Sequence, residues 1–100
     1  MNLKDWRKEI DSIDERIVGL LNERALIAQK IGALKASAGL PVTDTAREAE
    51  ILRNAARRCG RGILKREAII RIFRAVIRES RSVQTSEAQT KANAHTERVL

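Results

Sequence analysis

Apolar side chains recur from the start of the chain at Leu3, Trp6, Ile10, Ile13, Ile17 and Leu20. After Arg24 they resume at Ile27, Ile31, Leu34 and Ala38. The steps alternate three and four throughout, which is the seam of one long amphipathic helix packed against other helices. This first helix is expected over about Leu3 to Ala38, with Gly39 as its C-terminal stop. At ~1.5 Å per residue it is roughly 54 Å long. The rest of the chain cannot cover such a stripe, so a second subunit is expected to. After the connection Leu40-Pro41-Val42-Thr43-Asp44, a second helix starts at Asp44 or Thr45 and reaches about Cys59. Its apolar positions are Ile51, Leu52, Ala55 and Ala56, and Gly60-Arg61-Gly62 breaks it. A third helix is expected from about Leu64 to the mid-80s, with Ile69, Ile72, Phe73, Val76 and Ile77 on its stripe. Ser80 and Gln84 continue that stripe at the same spacing. The pattern predicts an all-α fold of three helices in a domain over residues 1–84. Residues 85–100, which include His95, turn polar and read as frayed helix or a disordered tail.

Composition supports helix over sheet. The 100 residues include one Pro, one Phe, one Trp and no Tyr, and are rich in Ala, Leu, Ile, Glu, Lys and Arg. Cys59 is the single cysteine, so neither an intrachain disulfide nor a cysteine metal cluster is available. With His95 as the single histidine, a zinc site or a histidine-based catalytic dyad is disfavoured and no metal is expected. The chain shows no signal-peptide pattern and no long uncharged apolar run, and is read as soluble and cytoplasmic with no membrane partner. Its net charge of +7, from 20 basic and 13 acidic residues, suits nucleic acid, an anionic surface or a small anionic ligand.

The polar residues on the stripes sharpen that choice. Arg24 interrupts the seam of the first helix, where an isolated charge would cost several kcal/mol. Two readings stand: a structural ion pair, with Glu48 as the candidate partner, or a ligand contact. Lys35 lies eleven residues on, within about 20° of the direction of Arg24, so the two share a face roughly three turns apart. Lys35 can also complement the helix dipole. Arg7, seventeen residues before Arg24, is about 25 Å away along the helix and rotated by roughly 100°. It is either a solvated surface arginine or a contribution to the pocket of an antiparallel second subunit. Thr45 and Glu48 fit a capping box, and Asp44 fits an N-cap equally well. Glu48 also begins an inward stripe through Leu52, Ala55 and Cys59, with Arg47 beside it. Ser80 and Gln84 either mark where the third helix leaves the bundle or aim hydrogen-bonding groups into a pocket. Arg24, Lys35 and Arg47 outnumber the carboxylates of Glu48 and Asp44, an imbalance that calls for an anionic ligand. No nucleophile–base pair accompanies them, so such a pocket binds and stabilises charge.

Taken in order, Arg7, Ile10-Asp11, Ile13-Asp14, Leu20-Leu21, Arg24, Ile31-Gly32, Lys35, Pro41-Val42, Asp44, Arg47-Glu48, Ile77, Ser80 and Gln84 resemble the all-helical (AroQ-type) chorismate mutases. The likeness runs from about Leu3 to Gln84 and rests on many polar positions recurring together across three helices. It implies an intertwined, domain-swapped helical homodimer whose long first helices pair. It also implies conversion of chorismate to prephenate, on the route to phenylalanine and tyrosine, with no cofactor. By the same resemblance, Arg24, Arg47 and Arg7 of the partner subunit would hold the two substrate carboxylates, with Ser80 assisting. Lys35 and Gln84 would bind the ether oxygen, and Glu48, with backbone around Asp44, the ring hydroxyl. The catalytic set so implied is Lys35, Gln84 and Glu48. The connection Arg57-Arg58-Cys59-Gly60-Arg61-Gly62 is unusually basic for that pattern, as a solubilising segment, a partner contact or a guide for a dianion.

Three other readings compete. An isochorismate–pyruvate lyase on the same fold would use a similar cationic pocket, but the intact segment from Pro41 to Glu48 favours the mutase. A helical nucleic-acid-binding dimer would use Arg66, Arg71, Arg74, Arg78 and Arg81. These lie mostly off the apolar stripe, as a solvated basic face would, and no stacking aromatics accompany them. No nucleic-acid partner is therefore expected. A purely structural bundle would make the buried charges ion pairs and nothing more.

Overall fold

A computed structural model of the chain describes residues 1–99, with side chains described through Asn93. The side chains of residues 94–100, that of His95 included, lie outside the described residues. Three helices form: α1 (Leu3–Ala38), α2 (Thr45–Arg58) and α3 (Arg66–Val99), with no strand among the described residues.

The ends of α1 are fixed by local chemistry. Asn2 is the N-cap: its side chain accepts from the Asp5 backbone N–H at 3.0 Å, and the Asp5 carboxylate accepts from the Asn2 N–H at 3.2 Å. This reciprocal pair satisfies two amides that the helix leaves without partners. At the other end Gly39 takes the left-handed conformation (φ 67°). There the Leu40 N–H reaches the Lys35 carbonyl at 2.8 Å, which closes the helix in the manner expected of a C-terminal glycine. α2 begins at the Asp44 cap, whose carboxylate accepts from the Arg47 N–H at 3.0 Å. Of the two caps the sequence allows, Asp44 is therefore the one used, and Glu48 is left to other partners.

α3 is longer than its apolar stripe. It continues past the mid-80s to Val99. Residues 85–99 contain Glu, Ala, Gln, Lys and Arg, all strong helix formers, and no Gly or Pro. Contacts to α1 support the extension: Gln29 donates to Glu87 at 3.3 Å, and Lys91 donates to the Ser37 hydroxyl at 2.7 Å. Propensity and these polar clasps thus carry the helix beyond the point where hydrophobic burial ends.

α3 packs against both other helices, and α1 does not pack on α2. The pairs Arg24 with Ser80, Lys35 with Gln84 and Ser37 with Lys91 show that α1 and α3 run parallel. α2 is the antiparallel return between them. Gly32 is buried where the two parallel helices meet: a Cβ on it would lie 2.8 Å from the Gln84 Cα and 3.0 Å from the Gln84 carbonyl oxygen. The absence of a side chain is what lets the backbones approach so closely.

The core of a single chain is thin. Among the described residues the buried apolar ones are Ala28, Ala55, Ala56 and Ile77, and no large side chain is fully buried. Every residue from Trp6 to Glu23 is exposed, including Trp6 (54%), Ile10 (55%) and Leu20 (64%) on the predicted seam. The molecule measures 64 × 29 × 14 Å with a radius of gyration of 17.8 Å, against about 13 Å for a compact 100-residue domain. No helix among the described residues is long and apolar enough to cross a membrane.

The two glycines of α1 give opposite expectations for one substitution. Nothing lies within 4 Å of a Cβ built on Gly19, whose helical neighbours Glu15, Arg16, Asn22 and Glu23 are polar. Gly19→Ala should therefore stabilise the fold by about 0.5–1 kcal/mol through helix propensity. Gly32→Ala should destabilise it by about 1–3 kcal/mol, because the added methyl meets α3 backbone and not a yielding side chain. Denaturant unfolding of the two variants checks the sign of each.

Candidate active site

The C-terminal half of α1, the start of α2 and the middle of α3 enclose a cavity of about 290 Å³, the size of a small-molecule site. Its polar lining is Arg24, Lys35, Asp44, Arg47, Glu48, Ser80, Arg81 and Gln84, and its apolar wall includes Ile27, Ile31, Val42, Ile51 and Ile77. Seven of the eight site positions singled out in the sequence thus line one space. Arg7 is the exception: it is exposed on the projecting part of α1 and does not line the cavity.

Each polar group is held by a definite element. Arg24, half-buried on the α1 seam, donates through Nη1 to the Ser80 hydroxyl on α3. It makes no ion pair with Glu48; instead, Arg81 Nε lies 3.2 Å from Glu48 Oε2. Lys35 Nζ donates to the Val42 carbonyl at 2.8 Å and to Gln84 Oε1 at 2.9 Å. An ammonium carries three N–H donors, so one remains for a ligand. Gln84 accepts through Oε1, which leaves its amide N–H₂ to donate into the cavity. Arg47, exposed at the rim, pairs with Glu50 one turn along α2.

The electrostatics follow from this list. Four cations line the space against the carboxylates of Asp44 and Glu48. Arg24 and Lys35 are satisfied only by neutral acceptors among the described residues, namely Ser80, Gln84 and a backbone carbonyl. Such a site is preorganised for negative charge, with donors already fixed by the fold. A neighbouring cleft of about 340 Å³ shares Arg24 and Arg47 and adds Asn54 and Arg58, so the basic end of α2 borders the site. No group of three or more metal-ligating side chains occurs among the described residues.

Two residues escaped the sequence reading. Arg81 was grouped with the solvated arginines of α3, yet it faces the cavity. It follows buried Ile77 by four residues and precedes Gln84 by three, a same-face spacing that could have identified it. Gly32 gave no signal as a helix-contact residue because a glycine adds nothing to a hydrophobic stripe.

A small cavity lined by fixed cations and neutral donors and walled by three helices marks an all-helical protein whose site suits a compact anion. Comparison with known proteins then identifies the kind. Residues 6–85 match the chorismate mutase type II family, and the chain belongs to that family. It is 45% identical over 78 residues to a bifunctional chorismate mutase/prephenate dehydratase of Aquifex aeolicus, a match that covers 75% of this chain and 22% of that protein. It is 29% identical over 91 residues to a chorismate mutase of Methanocaldococcus jannaschii, covering 91% and 92% of the two chains. Among solved structures, a conserved hypothetical protein from Pyrococcus furiosus superposes with a TM-score of 0.68 at 40% identity, over 82% of this chain and 93% of that one. The chain thus spans about a fifth of the bifunctional relative and nearly all of the archaeal mutase.

Arg24 meets no carboxylate within ion-pair distance among the described residues, so a binding role for its charge would come at the expense of the fold. Arg24→Met should raise the unfolding free energy by on the order of 1 kcal/mol while abolishing affinity for a dicarboxylate. A loss of stability of similar size, measured by denaturant unfolding, would instead make Arg24 structural.

Proposed function

We propose that the chain is a chorismate mutase, which converts chorismate to prephenate by intramolecular Claisen rearrangement. The observation that carries this reading is the convergence of Arg24, Lys35, Arg47, Glu48, Ser80 and Gln84 on one small cavity, in a chain of the type II family. The reaction is unimolecular and pericyclic and needs neither an acid–base pair nor a cofactor. What it needs is a flexible dianion held with its reacting carbons together, and stabilisation of charge on the ether oxygen as the C–O bond breaks.

The residues suit those two tasks. Arg24, Arg47 and Arg7 of the partner subunit clamp the carboxylates, and Ser80 orients Arg24. The remaining N–H of Lys35 and the amide of Gln84 donate to the ether oxygen, where their hydrogen bonds strengthen as charge develops. Glu48, with the backbone around Asp44, accepts from the ring hydroxyl. The proposal includes a cytoplasmic homodimer with shared sites, acting in aromatic amino-acid biosynthesis. Support for the dimer comes from the exposed seam of α1 and the extended shape of the single chain. A cavity that lacks Arg7 of its own chain is also consistent with a subunit supplying it in trans.

Subunit mixing tests the shared site. Arg7→Ala and Lys35→Ala homodimers should each turn chorismate over poorly, and loss of the Lys35 donor should cost about 2.7–4 kcal/mol of transition-state stabilisation. Refolded together, they should recover about a quarter of the unaltered activity, since half the dimers are mixed and each holds one intact site. No recovery from folded, dimeric mixtures rules the arrangement out. Pyruvate release from isochorismate without prephenate formation would assign the lyase reaction instead.

Gln84→Glu gives a second expectation. At neutral pH the introduced carboxylate offers Lys35 a salt bridge and the ether oxygen only an acceptor. Activity should fall at neutral pH and return as acid protonates the carboxyl and restores a donor. A pH–rate profile with the same shape as that of the unaltered chain would remove Gln84 from the reaction.

A further inference from the structure

Arg81 is the one charged residue of the cavity lining for which the proposed reaction has no task. Its Nε lies 3.2 Å from Glu48 Oε2, and the two side chains are 44% and 23% exposed. An ion pair this open contributes little to stability, so a role in holding the fold together does not account for it. Its position does. Glu48 presents a carboxylate to a space otherwise arranged for negative charge, and its ion pair with Arg81 is its only charged partner among the described residues. An uncompensated anion there would repel a bound dianion.

We propose that Arg81 is a positioning residue that cancels the charge of Glu48 and fixes its orientation, so that a carboxylate can serve a site built for a dianionic substrate. Arg81 Nε lies 3.2 Å from Oε2, and a carboxylate has lone pairs to spare for a neutral hydroxyl. The lining then divides into two parts. Arg24, Lys35 and the rim residue Arg47 face the substrate's charge, while the Glu48–Arg81 pair is internally neutral and faces its polar, uncharged edge. Arg81 thereby sets the charge balance of the cavity from a position on α3 one residue beyond Ser80. This inference rests on the chorismate mutase reading and adds to it a residue that acts on substrate through Glu48.

A charge-coupling cycle with the whole 100-residue chain tests the inference. Chorismate kinetics and the Kd of prephenate are measured for the unaltered chain, Arg81→Ala, Glu48→Gln and the double variant. Arg81→Ala should raise KM and Kd by about tenfold and change kcat much less. Arg81→Lys should restore both to within about threefold, since it returns the charge without the planar fork. In the Glu48→Gln background, where no carboxylate needs neutralising, Arg81→Ala should change the Kd less than about twofold. An equal loss in both backgrounds would mean that Arg81 acts independently of Glu48, and unchanged binding in Arg81→Ala would mean that it does not act at all; either result overturns the inference. If Arg81→Ala does not fold, the same comparison is made with Arg81→Gln. Failure of the unaltered chain to convert chorismate overturns the functional reading itself, whereas turnover without the coupling overturns only the role of Arg81.

Discussion

The contact between α1 and α3 at Gly32 and Gln84 fixes the rest of the site. Two parallel helices approach until one backbone nearly touches the other, at a distance that a single methyl would prevent. One turn further along α1, Lys35 reaches Gln84 at 2.9 Å and Val42 at 2.8 Å. These short reaches depend on the helix spacing below them. With ordinary interaxial distances of about 8–10 Å, a bulkier contact would move Gln84 away from the ammonium. The ammonium would also lose an acceptor that keeps its flexible stem in place. Backbone packing at a residue without a side chain thereby determines where charge is presented to a ligand.

The way the cations are held has a chemical consequence. Arg24 and Lys35 are oriented by a hydroxyl, an amide oxygen and a peptide carbonyl. Neutral acceptors fix direction without neutralising charge. A carboxylate partner would fix direction as well, but an incoming anion would then have to displace it. The two arginines of the cavity lining that are paired with acids, Arg47 with Glu50 and Arg81 with Glu48, lie at more exposed positions. Charges closest to the α1–α3 contact therefore remain available to a ligand, and those nearer solvent are compensated. Such an arrangement suits a reaction in which binding and electrostatic preorganisation supply the rate enhancement.

Much of this was legible in the sequence because it is written in local signals. The three-and-four spacing and Gly39 located α1 at Leu3–Ala38, and the anomalous Arg24 on its seam marked the site. Ser80 and Gln84 were visible for the same reason, as polar residues in register with a core stripe. Gly32 escaped because it acts by the absence of atoms. Arg81 keeps a same-face spacing to Ile77 and Gln84, but it reads together with the arginines of α3 that face water. The end of α3 was missed because burial fades near Gln84 while propensity and polar clasps such as Lys91–Ser37 continue. The choice of Asp44 over Thr45 as the α2 cap was undecidable from sequence, since both residues fit the same motif. The cap releases Glu48 from a capping role and lets it face Arg81.

The thin core and the absence of this chain's Arg7 from the cavity lining would have a common physical origin in the proposed dimer. Among its described residues, a single chain buries three alanines and one isoleucine but no large side chain completely, which is little apolar area to oppose the entropy of ordering the chain. Exposed large apolar side chains run along α1 from Leu3 to Leu34, a span that also carries Arg7. A second copy that covered this stripe would supply the missing core. If it lay antiparallel, as the proposed dimer requires, it would also bring its own Arg7 toward the cavity that this chain's Arg7 does not reach. Folding and completion of the site would then be one event. In the proposed dimer, that coupling would explain how so long and exposed a helix persists in a 100-residue chain: its burial would be deferred to association, and association would assemble the charge offered to a ligand.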